Sequence, residues 1–368
     1  MSTLKVDGIR SNSASSDAIT LASDGTCTAK ITNRSNRNLI INGAMNVAQR
    51  GTSTTDEGYL VDRIELEQTN LNEAPTQAQV DVSSSSTPYS EGFRKAFKIT
   101  NGNQTSADAN DRFQVFLKQE AQNIANSGWN YTSSTSYITL QFWVKSSVAQ
   151  NFYGYLRTKD GTGQIYRFET GSLTANTWTK VTKTIPGNSN ITINNDNGEG
   201  LQITFALYYG ADFTDSGASL NAWGAYASGT RTPDMTGTLD DWYLTNDATW
   251  ELTGVQLEVG SVATDFEHRS YGQELELCKR YFYKWNKTGS SRYTYSGGYS
   301  SHATSAFVDV TFNPEMRAAP TVGSFSDANV TSASWSTLNP ECAIYNGTAT
   351  QAGSAARIAS AVDFSAEL

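Results

Sequence analysis

The chain has 368 residues, a formal net charge of −9, 17% charged residues, 38% hydrophobic residues and 11% aromatic residues. The acidic balance disfavours a nucleic-acid partner, because phosphate binding needs a basic surface. The low charged fraction and the many Ser, Thr, Asn and Gly residues predict β-structure with polar turns rather than long helices. The aromatic content argues against a disordered chain.

The sequence contains no pattern typical of membrane insertion or secretion. Its purely apolar runs are too short to span a bilayer, and the segment after Met1 lacks a basic region followed by an apolar stretch. Cys27, Cys278 and Cys342 are far apart and have no metal or redox spacing. They are interpreted as buried or inert thiols of a chain made in a reducing cytoplasm.

Residues 1–35 are predicted to be a β-rich arm. Apolar and polar residues alternate around Leu4 and Val6, around Ile19 and Leu21, and from Cys27 onward, which predicts three short strands. So few large apolar side chains cannot form a separate core. The arm is therefore expected to pack on copies of itself, on another protein or on the following domain; a disordered tail is the alternative.

Residues 36–269 are predicted to form one antiparallel jelly-roll β-sandwich of about nine strands. Period-2 segments recur along this region, the clearest being Ile138–Val144 and Leu201–Leu207. Asn38–Met45 is predicted to be the opening strand and the segment after Trp250 the closing strand, and the two are expected to pair. A phase slip at Thr253-Gly254 predicts a β-bulge in the closing strand.

Two long loops are predicted to interrupt the sandwich. The first runs from about Gln68 to Ser90 and is rich in Ser, and the second runs from Ala211 to Leu239. Loops of this length inside a compact domain are usually functional or mobile.

The last 99 residues are predicted to form a linking helix and a small β tip. Ser270 and Gln273 have the spacing of a capping box, which predicts a short helix over residues 270–279. Residues 280–368 read as a C-terminal β tip that begins with a strand at Tyr281–Trp285 and ends with one from Val362. So small a region is marginal for a core of its own, and oligomerisation would relieve that deficit.

Catalytic and metal motifs are sparse. The two histidines, His268 and His302, lie in no triad pattern, and no zinc spacing, P-loop or dinucleotide fingerprint occurs. Carboxylates at Asp212, Asp215 and Asp240-Asp241 could in principle hydrolyse a glycoside, although acidic loop residues are mostly solvated turn-formers. The oxygen-rich loops are also compatible with calcium, for which the sequence selects no ligands. No cofactor is predicted.

Aromatic residues among small polar ones are the candidate glycan-binding residues. Such rings can stack on sugar faces, and they also dominate binding surfaces in general. The alternative is that they belong to the core or to a subunit interface. The candidates fall into a C-terminal set and a loop set: Tyr293, Tyr295, Tyr299 and Trp335, and Trp223 and Tyr226.

Segments at both ends of the predicted sandwich resemble the jelly-roll domain of bacteriophage tail fibres and other receptor-binding proteins, whose sandwich is similar to that of carbohydrate-binding modules. They are Asn38-Leu-Ile-Ile-Asn-Gly-Ala-Met-Asn-Val-Ala-Gln-Arg-Gly51, Tyr59-Leu-Val-Asp-Arg63, Leu252-Thr-Gly-Val-Gln-Leu-Glu-Val-Gly260 and Ala263-Thr-Asp-Phe-Glu-His-Arg-Ser-Tyr-Gly272. The arm resembles phage attachment segments, and residues 314–322 and 364–368 resemble β-structured fibre tips. Residues 68–248 resemble these domains only in the spacing of their predicted strands.

The resemblance implies a homotrimer on the virion tail, assembled in the host cytoplasm, with the arm bound to a tail or baseplate protein. It supplies no invariant sugar-binding residues. The resulting hypothesis is a non-enzymatic tail fibre that binds a host surface polysaccharide through its C-terminal region. The alternatives are a structural baseplate, adaptor or head-decoration protein without receptor binding, and a glycan depolymerase.

Overall fold

A computed structural model describes residues 6–13, 17–21, 23, 27–29, 35–237, 239–285, 306–328, 330–336, 338–349, 357–358 and 361–368. Nearly all of the regular structure in these ranges is antiparallel β-sheet, which confirms the predicted all-β class. None of the helices in the described ranges is long and apolar enough to cross a membrane.

The arm contains a small antiparallel sheet of three strands, β1 (Gly8–Ile9), β2 (Ile19–Leu21) and β3 (Cys27–Ala29). The second and third strands lie where the sequence predicts them, whereas the first begins beyond Val6 rather than around it. Val6, Ile9 and Leu21 are exposed. The sheet therefore presents apolar side chains to solvent.

The central region contains thirteen strands within its described residues, more than the predicted nine. In chain order they are β4 (Ser53–Thr54), β5 (Gly58–Tyr59), β6 (Glu65–Thr69), β7 (Thr76–Asp81), β8 (Lys95–Thr100), β9 (Arg112–Glu120), β10 (Tyr137–Ser146), β11 (Tyr153–Thr158), β12 (Gln164–Glu169), β13 (Thr179–Pro186), β14 (Glu199–Tyr209), β15 (Trp223–Ala225) and β16 (Thr249–Val259).

These strands form the two sheets of a sandwich. One has six strands in the order β13-β10-β16-β8-β7-β4, and the other has seven in the order β15-β12-β11-β14-β9-β6-β5. Aromatic rings of the two sheets meet in the core: Phe142 of β10 lies 5.0 Å from Phe205 of β14 and 6.0 Å from Phe168 of β12, between ring centroids. The predicted sandwich is confirmed.

The closing strand β16 is the central element of the six-stranded sheet, between β10 and β8. The register of its pairing with β10 shifts between the pairs Gln141–Gln256 and Trp143–Thr253. Gly254, at this shift, has a φ of +65°, a conformation that a side chain disfavours. The predicted β-bulge is confirmed.

The predicted opening strand at Asn38–Met45 is wrong. The segment contains turns instead, and Asn42 and Met45 have positive φ angles, which regular strand backbone does not adopt. It still lies against β16: the Leu39 amide donates to the Leu257 carbonyl at 2.8 Å, and the Val255 amide donates to the Gly43 carbonyl at 2.9 Å. The expected contact with β16 exists, but it consists of isolated backbone bonds and bonds of the Asn38 side chain rather than a regular ladder.

The first predicted loop, Gln68–Ser90, is also wrong in part, because it contains β7 and the short helix α1 (Thr87–Ser90). Gln77 is the one buried residue of β7, so no apolar alternation marks this strand. The second predicted loop, 211–239, is irregular in its described residues apart from one 3-10 turn at Ala211–Phe213 and β15. Two further short helices are α2 (Ala121–Ala125) and α3 (Asp241–Leu244).

The predicted linking helix is confirmed as α4 (Tyr271–Lys279). The Ser270 hydroxyl accepts from the Gln273 amide, and the Gln273 side chain accepts from the Ser270 amide, so the capping box is complete. Cys278 is buried on this helix, and burial raises the pKa of its thiol. The predicted strand after the helix follows as β17 (Phe282–Trp285).

The C-terminal region contains seven further strands in its described residues. They are β18 (Ala306–Thr311), β19 (Thr321–Val322), β20 (Asp327–Ala328), β21 (Val330–Ser336), β22 (Cys342–Ala349), β23 (Arg357–Ile358) and β24 (Val362–Ser365). β24 pairs with both β17 and β19, which confirms the predicted terminal strand. Phe312, Tyr345 and Phe364 are buried in a core of this region.

Candidate functional site

The outward face of the seven-stranded sheet carries a groove with a volume of about 190 Å³. Strand alternation separates the two faces of β9: Phe113, Val115 and Leu117 belong to the core, whereas Gln114 and Phe116 line the groove. Pairing places Gln202 of β14 and Arg157 of β11 beside each other in one row of the same face. The groove therefore crosses three neighbouring strands.

Hydrogen-bonded polar side chains form the floor of the groove. Gln114, Gln202 and Tyr155 are almost completely buried there. The hydroxyls of Tyr155 and Tyr209 lie 3.1 Å apart, and Tyr209 donates to Gln114 Oε1. Burial raises the pKa of Tyr155 and, more strongly, that of Tyr209. Both phenols stay neutral at physiological pH and can donate hydrogen bonds.

One wall of the groove comes from the second long loop. The Tyr226 amide donates to the Gly163 carbonyl at 2.8 Å, which ties the loop to the turn before β12. The Arg157 guanidinium lies 3.5 Å from the centroid of the Tyr226 ring. This cation–π stack fixes both side chains at the rim of the groove.

A buried arginine holds the rest of that loop in place. Arg167 of β12 donates from Nε to the Arg231 carbonyl at 3.1 Å and from Nη2 to the Thr230 carbonyl. Burial lowers the pKa of Arg167. The Arg231 side chain, itself buried, lies 4.9 Å from the Phe213 ring and lines the groove. The loop thus contributes a fixed surface.

Cationic side chains dominate the lining. Five of the eleven lining residues are Arg or Lys, and Glu67 is the one carboxylate among them. Three of the cations contact carboxylates: Arg112 contacts Glu67, Lys118 contacts Glu65 at 2.6 Å, and Lys159 contacts Glu199 at 3.1 Å. The arrangement offers hydrogen-bond donors, an aromatic wall and positive charge, which suits binding of a polar ligand.

Of the two loop candidates, Tyr226 lines the groove and Trp223 does not. Trp223 is half-buried in β15, its ring centroid lies 5.5 Å from that of Tyr166, and its Nε1 donates to the Pro186 carbonyl at 2.6 Å. Its described contacts are those of a packing residue at the edge of the sheet.

Of the C-terminal candidates, Trp335 is described, in β21. Its half-buried ring makes edge contacts with Phe325, Tyr345 and Phe364, at centroid distances of 5.8, 5.5 and 5.0 Å. Tyr293, Tyr295 and Tyr299 lie outside the described residues, so a glycan-binding role for this set stays a prediction. Tyr226 lines the groove, whereas Trp335 packs against the core of the C-terminal region, so these two described candidates do not share a site.

Five groove residues were not predicted as site residues from the sequence: Gln114, Phe116, Arg157, Gln202 and Arg231. Each of the first four occupies an outward position of a strand whose alternate residues are buried in the core. Large polar or cationic side chains at such positions are a usable signal. The signal is weak, however, because the exposed face of a strand is usually solvated and polar.

The acidic candidates form no metal site in the described ranges, where no group of three or more His, Cys, Asp or Glu side chains could hold an ion. Asp212 lies in the 3-10 turn and Asp241 in the first turn of α3. The Asp215 carboxylate accepts from the Gly217 amide at 2.8 Å. His268 Nε2 lies 2.8 Å from the Glu91 carbonyl, and His302 is outside the described residues.

No family model matches this sequence, and no curated protein sequence matches it. Solved structures align weakly. An enzymatically active domain of bacteriophage CBA120 tailspike protein 4 is 11% identical with a TM-score of 0.31, and the alignment covers 61% of this chain and 22% of that one. A family 30 carbohydrate-binding module is 9% identical (TM-score 0.30; 65% and 96% covered). The N-terminal cellulose-binding domain of Cellulomonas fimi β-1,4-glucanase C is 11% identical (TM-score 0.28; 59% and 100% covered).

Proposed function

We propose that this chain is a non-enzymatic receptor-binding protein of a bacteriophage tail and that its groove binds a glycan of the host cell surface. The observation that carries the glycan part is the groove itself, in which an aromatic wall at Tyr226 stands over a floor of buried amide and phenol groups. Stacking and hydroxyl recognition need these two elements together.

The phage part of the proposal is supported by the segments at residues 38–63 and 252–272 that resemble tail-fibre domains. In the described structure these segments meet: the Asn38 side chain donates to the Val255 carbonyl at 3.2 Å and accepts from the Leu257 amide at 3.1 Å. Several weak glycan sites on one fibre would reinforce each other by multivalency.

Glycan binding is tested with a panel of bacterial surface polysaccharides and the full chain. We expect Tyr226→Ala to weaken binding about tenfold or more, since loss of a stacking residue at a binding centre typically costs over about 1.4 kcal/mol. Tyr89→Ala is the matched control, because Tyr89 carries a similar stack with Arg94, at 3.8 Å, and lies outside the groove. Binding retained in Tyr226→Ala would contradict the groove as the glycan site. No binding by the wild type would contradict glycan binding altogether and favour a purely structural virion role.

The non-enzymatic part is tested on the same panel. After prolonged incubation of any bound polysaccharide with the protein, we expect no increase in reducing ends. An increase that a groove variant abolishes would instead identify a glycan depolymerase.

A homotrimeric arm that attaches to the tail completes the proposal. The exposed apolar side chains of the three-stranded arm sheet support it, because copies of the arm could bury them against each other. We expect Ile9→Asp together with Leu21→Asp to reduce the trimer mass in light scattering, and Val262→Asp, at another exposed apolar residue, to leave it unchanged. A monomeric wild type would rule out the trimer.

A further inference from the structure

The groove is positively charged although the chain as a whole has a net charge of −9. Two of its five cations, Arg157 and Arg231, form no ion pair with a carboxylate among the described residues. The two side chains line the same groove, so their charges add there.

Both arginines also have a buried Nε–H without a hydrogen-bond partner in the described structure. The Arg231 side chain is 8% exposed. A buried donor without an acceptor is unfavourable.

The aromatic contacts of these arginines restrict the positions of their guanidinium groups. Arg157 stacks on Tyr226 at 3.5 Å, and Arg231 lies 4.9 Å from Phe213. A guanidinium that stacks through its face presents its N–H groups in its own plane, as a fork whose geometry matches a carboxylate. Stacking also reduces the number of rotamers that ligand binding must restrict.

We infer that the groove selects glycans whose sugar rings carry carboxylates, and that Arg157 and Arg231 bind those carboxylates. This inference rests on the proposed glycan binding and specifies its substrate class. Tyr226 and the floor amides contact the sugar ring and hydroxyls, and the arginines distinguish an acidic sugar from its neutral counterpart. Uronic and sialic acids both have the required chemistry.

The test compares an acidic oligosaccharide with the same oligosaccharide after reduction of its carboxylates to alcohols, in one arm with an oligogalacturonate and in another with an oligosialate. We expect the wild type to bind the acidic form in at least one arm about tenfold or more tightly than the reduced form, because charge-assisted hydrogen bonds are lost. This comparison needs no variant and is independent of folding defects.

Equal affinity for the acidic and reduced forms would overturn the inference and leave glycan binding intact. No binding of the acidic form in either arm would also overturn it, while glycan binding would be decided separately by the polysaccharide panel. The difference between the arms identifies which acidic sugar fits.

Variants test whether Arg157 and Arg231 cause the preference for the acidic form. We expect Arg157→Gln to remove most of the preference for the acidic form, measured as the ratio of the affinities for the acidic and reduced forms. Arg94→Gln, which removes an arginine stacked on Tyr89 outside the groove, is the matched control and should keep the preference. A preference that survives in both Arg157→Gln and Arg231→Gln would overturn the assignment.

Discussion

Glu120 and Arg280 are joined by two hydrogen bonds of 2.9 Å, from Arg280 Nε and Nη2 to the two carboxylate oxygens, although 160 residues separate them. Glu120 ends β9 of the sandwich, and its side chain is completely buried. Arg280 follows the linking helix, and the hydroxyl of the next residue, Tyr281, donates to the same carboxylate. Glu120 is therefore one of several links between sandwich and tip, which also include the ion pair of Arg63 with Glu367.

We expect Glu120→Gln to lower the free energy of unfolding by about 1.5–3 kcal/mol, because the amide replaces charge-assisted hydrogen bonds with weaker ones and leaves Arg280 without its counter-charge. Glu276→Gln, at an exposed position of α4, is the control and should change the stability by less than about 0.5 kcal/mol. Urea denaturation of the three proteins measures both values. Equal stability of the two variants would contradict the role given to Glu120.

The same carboxylate predicts a loss of stability in acid. Burial alone would raise the pKa of Glu120, but hydrogen bonds from Arg280 and Tyr281 outweigh it and hold the pKa below the ordinary value of 4.5. A lowered folded-state pKa gives stability that is complete above pH 4.5 and is lost as the pH falls through the folded value. The stability difference between wild type and Glu120→Gln should therefore narrow below pH 4.5.

Asp62 acts in the opposite direction, since burial raises the pKa of its carboxyl above 3.8 and protonation then favours the folded state. The difference between wild type and Glu120→Gln cancels this contribution, because both proteins contain Asp62. If the stability difference between wild type and Glu120→Gln stayed constant from pH 7 to pH 3, Glu120 would be excluded as the titrating group.

Gly43 tests the contact between the N-terminal turn and the closing strand. A Cβ atom at this position would lie 2.0 Å from the Val255 carbonyl oxygen, so β16 or the turn must shift. We expect Gly43→Ala to destabilise the chain by about 1–3 kcal/mol. Gly272→Ala, in α4 with no atom near the added methyl group, should instead be neutral or stabilising by up to about 1 kcal/mol. Thermal unfolding distinguishes them, and similar midpoints would refute this contact.

Substitutions of Trp335 distinguish a packing role of this residue from a glycan-binding role. Because its ring contacts three aromatic rings, we expect Trp335→Ala to lower the stability of this region by about 2 kcal/mol and Trp335→Phe to lower it less. Near-ultraviolet circular dichroism during urea unfolding follows the change. Unchanged stability combined with weaker polysaccharide binding would instead support the predicted glycan contact.

Local chemistry made several elements predictable from the sequence. Gly254 disturbs an apolar alternation, and the Ser270–Gln273 spacing identifies a helix start, so the bulge and α4 follow from a few adjacent residues. The turn at Asn38–Met45 was not predictable in this way. Its Asn42 side chain bonds the backbone of Val47 and the Asp62 carbonyl, and such bonds satisfy the groups that a ladder would otherwise pair.

The candidate site was less predictable than the fold. Tyr226 was recognisable as an aromatic residue in a polar loop, but Gln114, Arg157 and Gln202 come from three separate strands. They meet because the sheet order places β14 between β9 and β11, and that order depends on pairings across the whole domain. Residue type alone could not specify this neighbourhood.

The bond between Glu120 and Arg280 has a mechanical consequence. Tension applied to the chain beyond β17 is passed to the sandwich through several bonds, among them those from Arg280 and Tyr281 to the end of β9. β9 pairs with β14 and β6 in the seven-stranded sheet, so the load is shared among neighbouring strands in shear. Part of a pull on the tip would therefore be carried by the sheet that contains the groove, in parallel with the covalent path through α4.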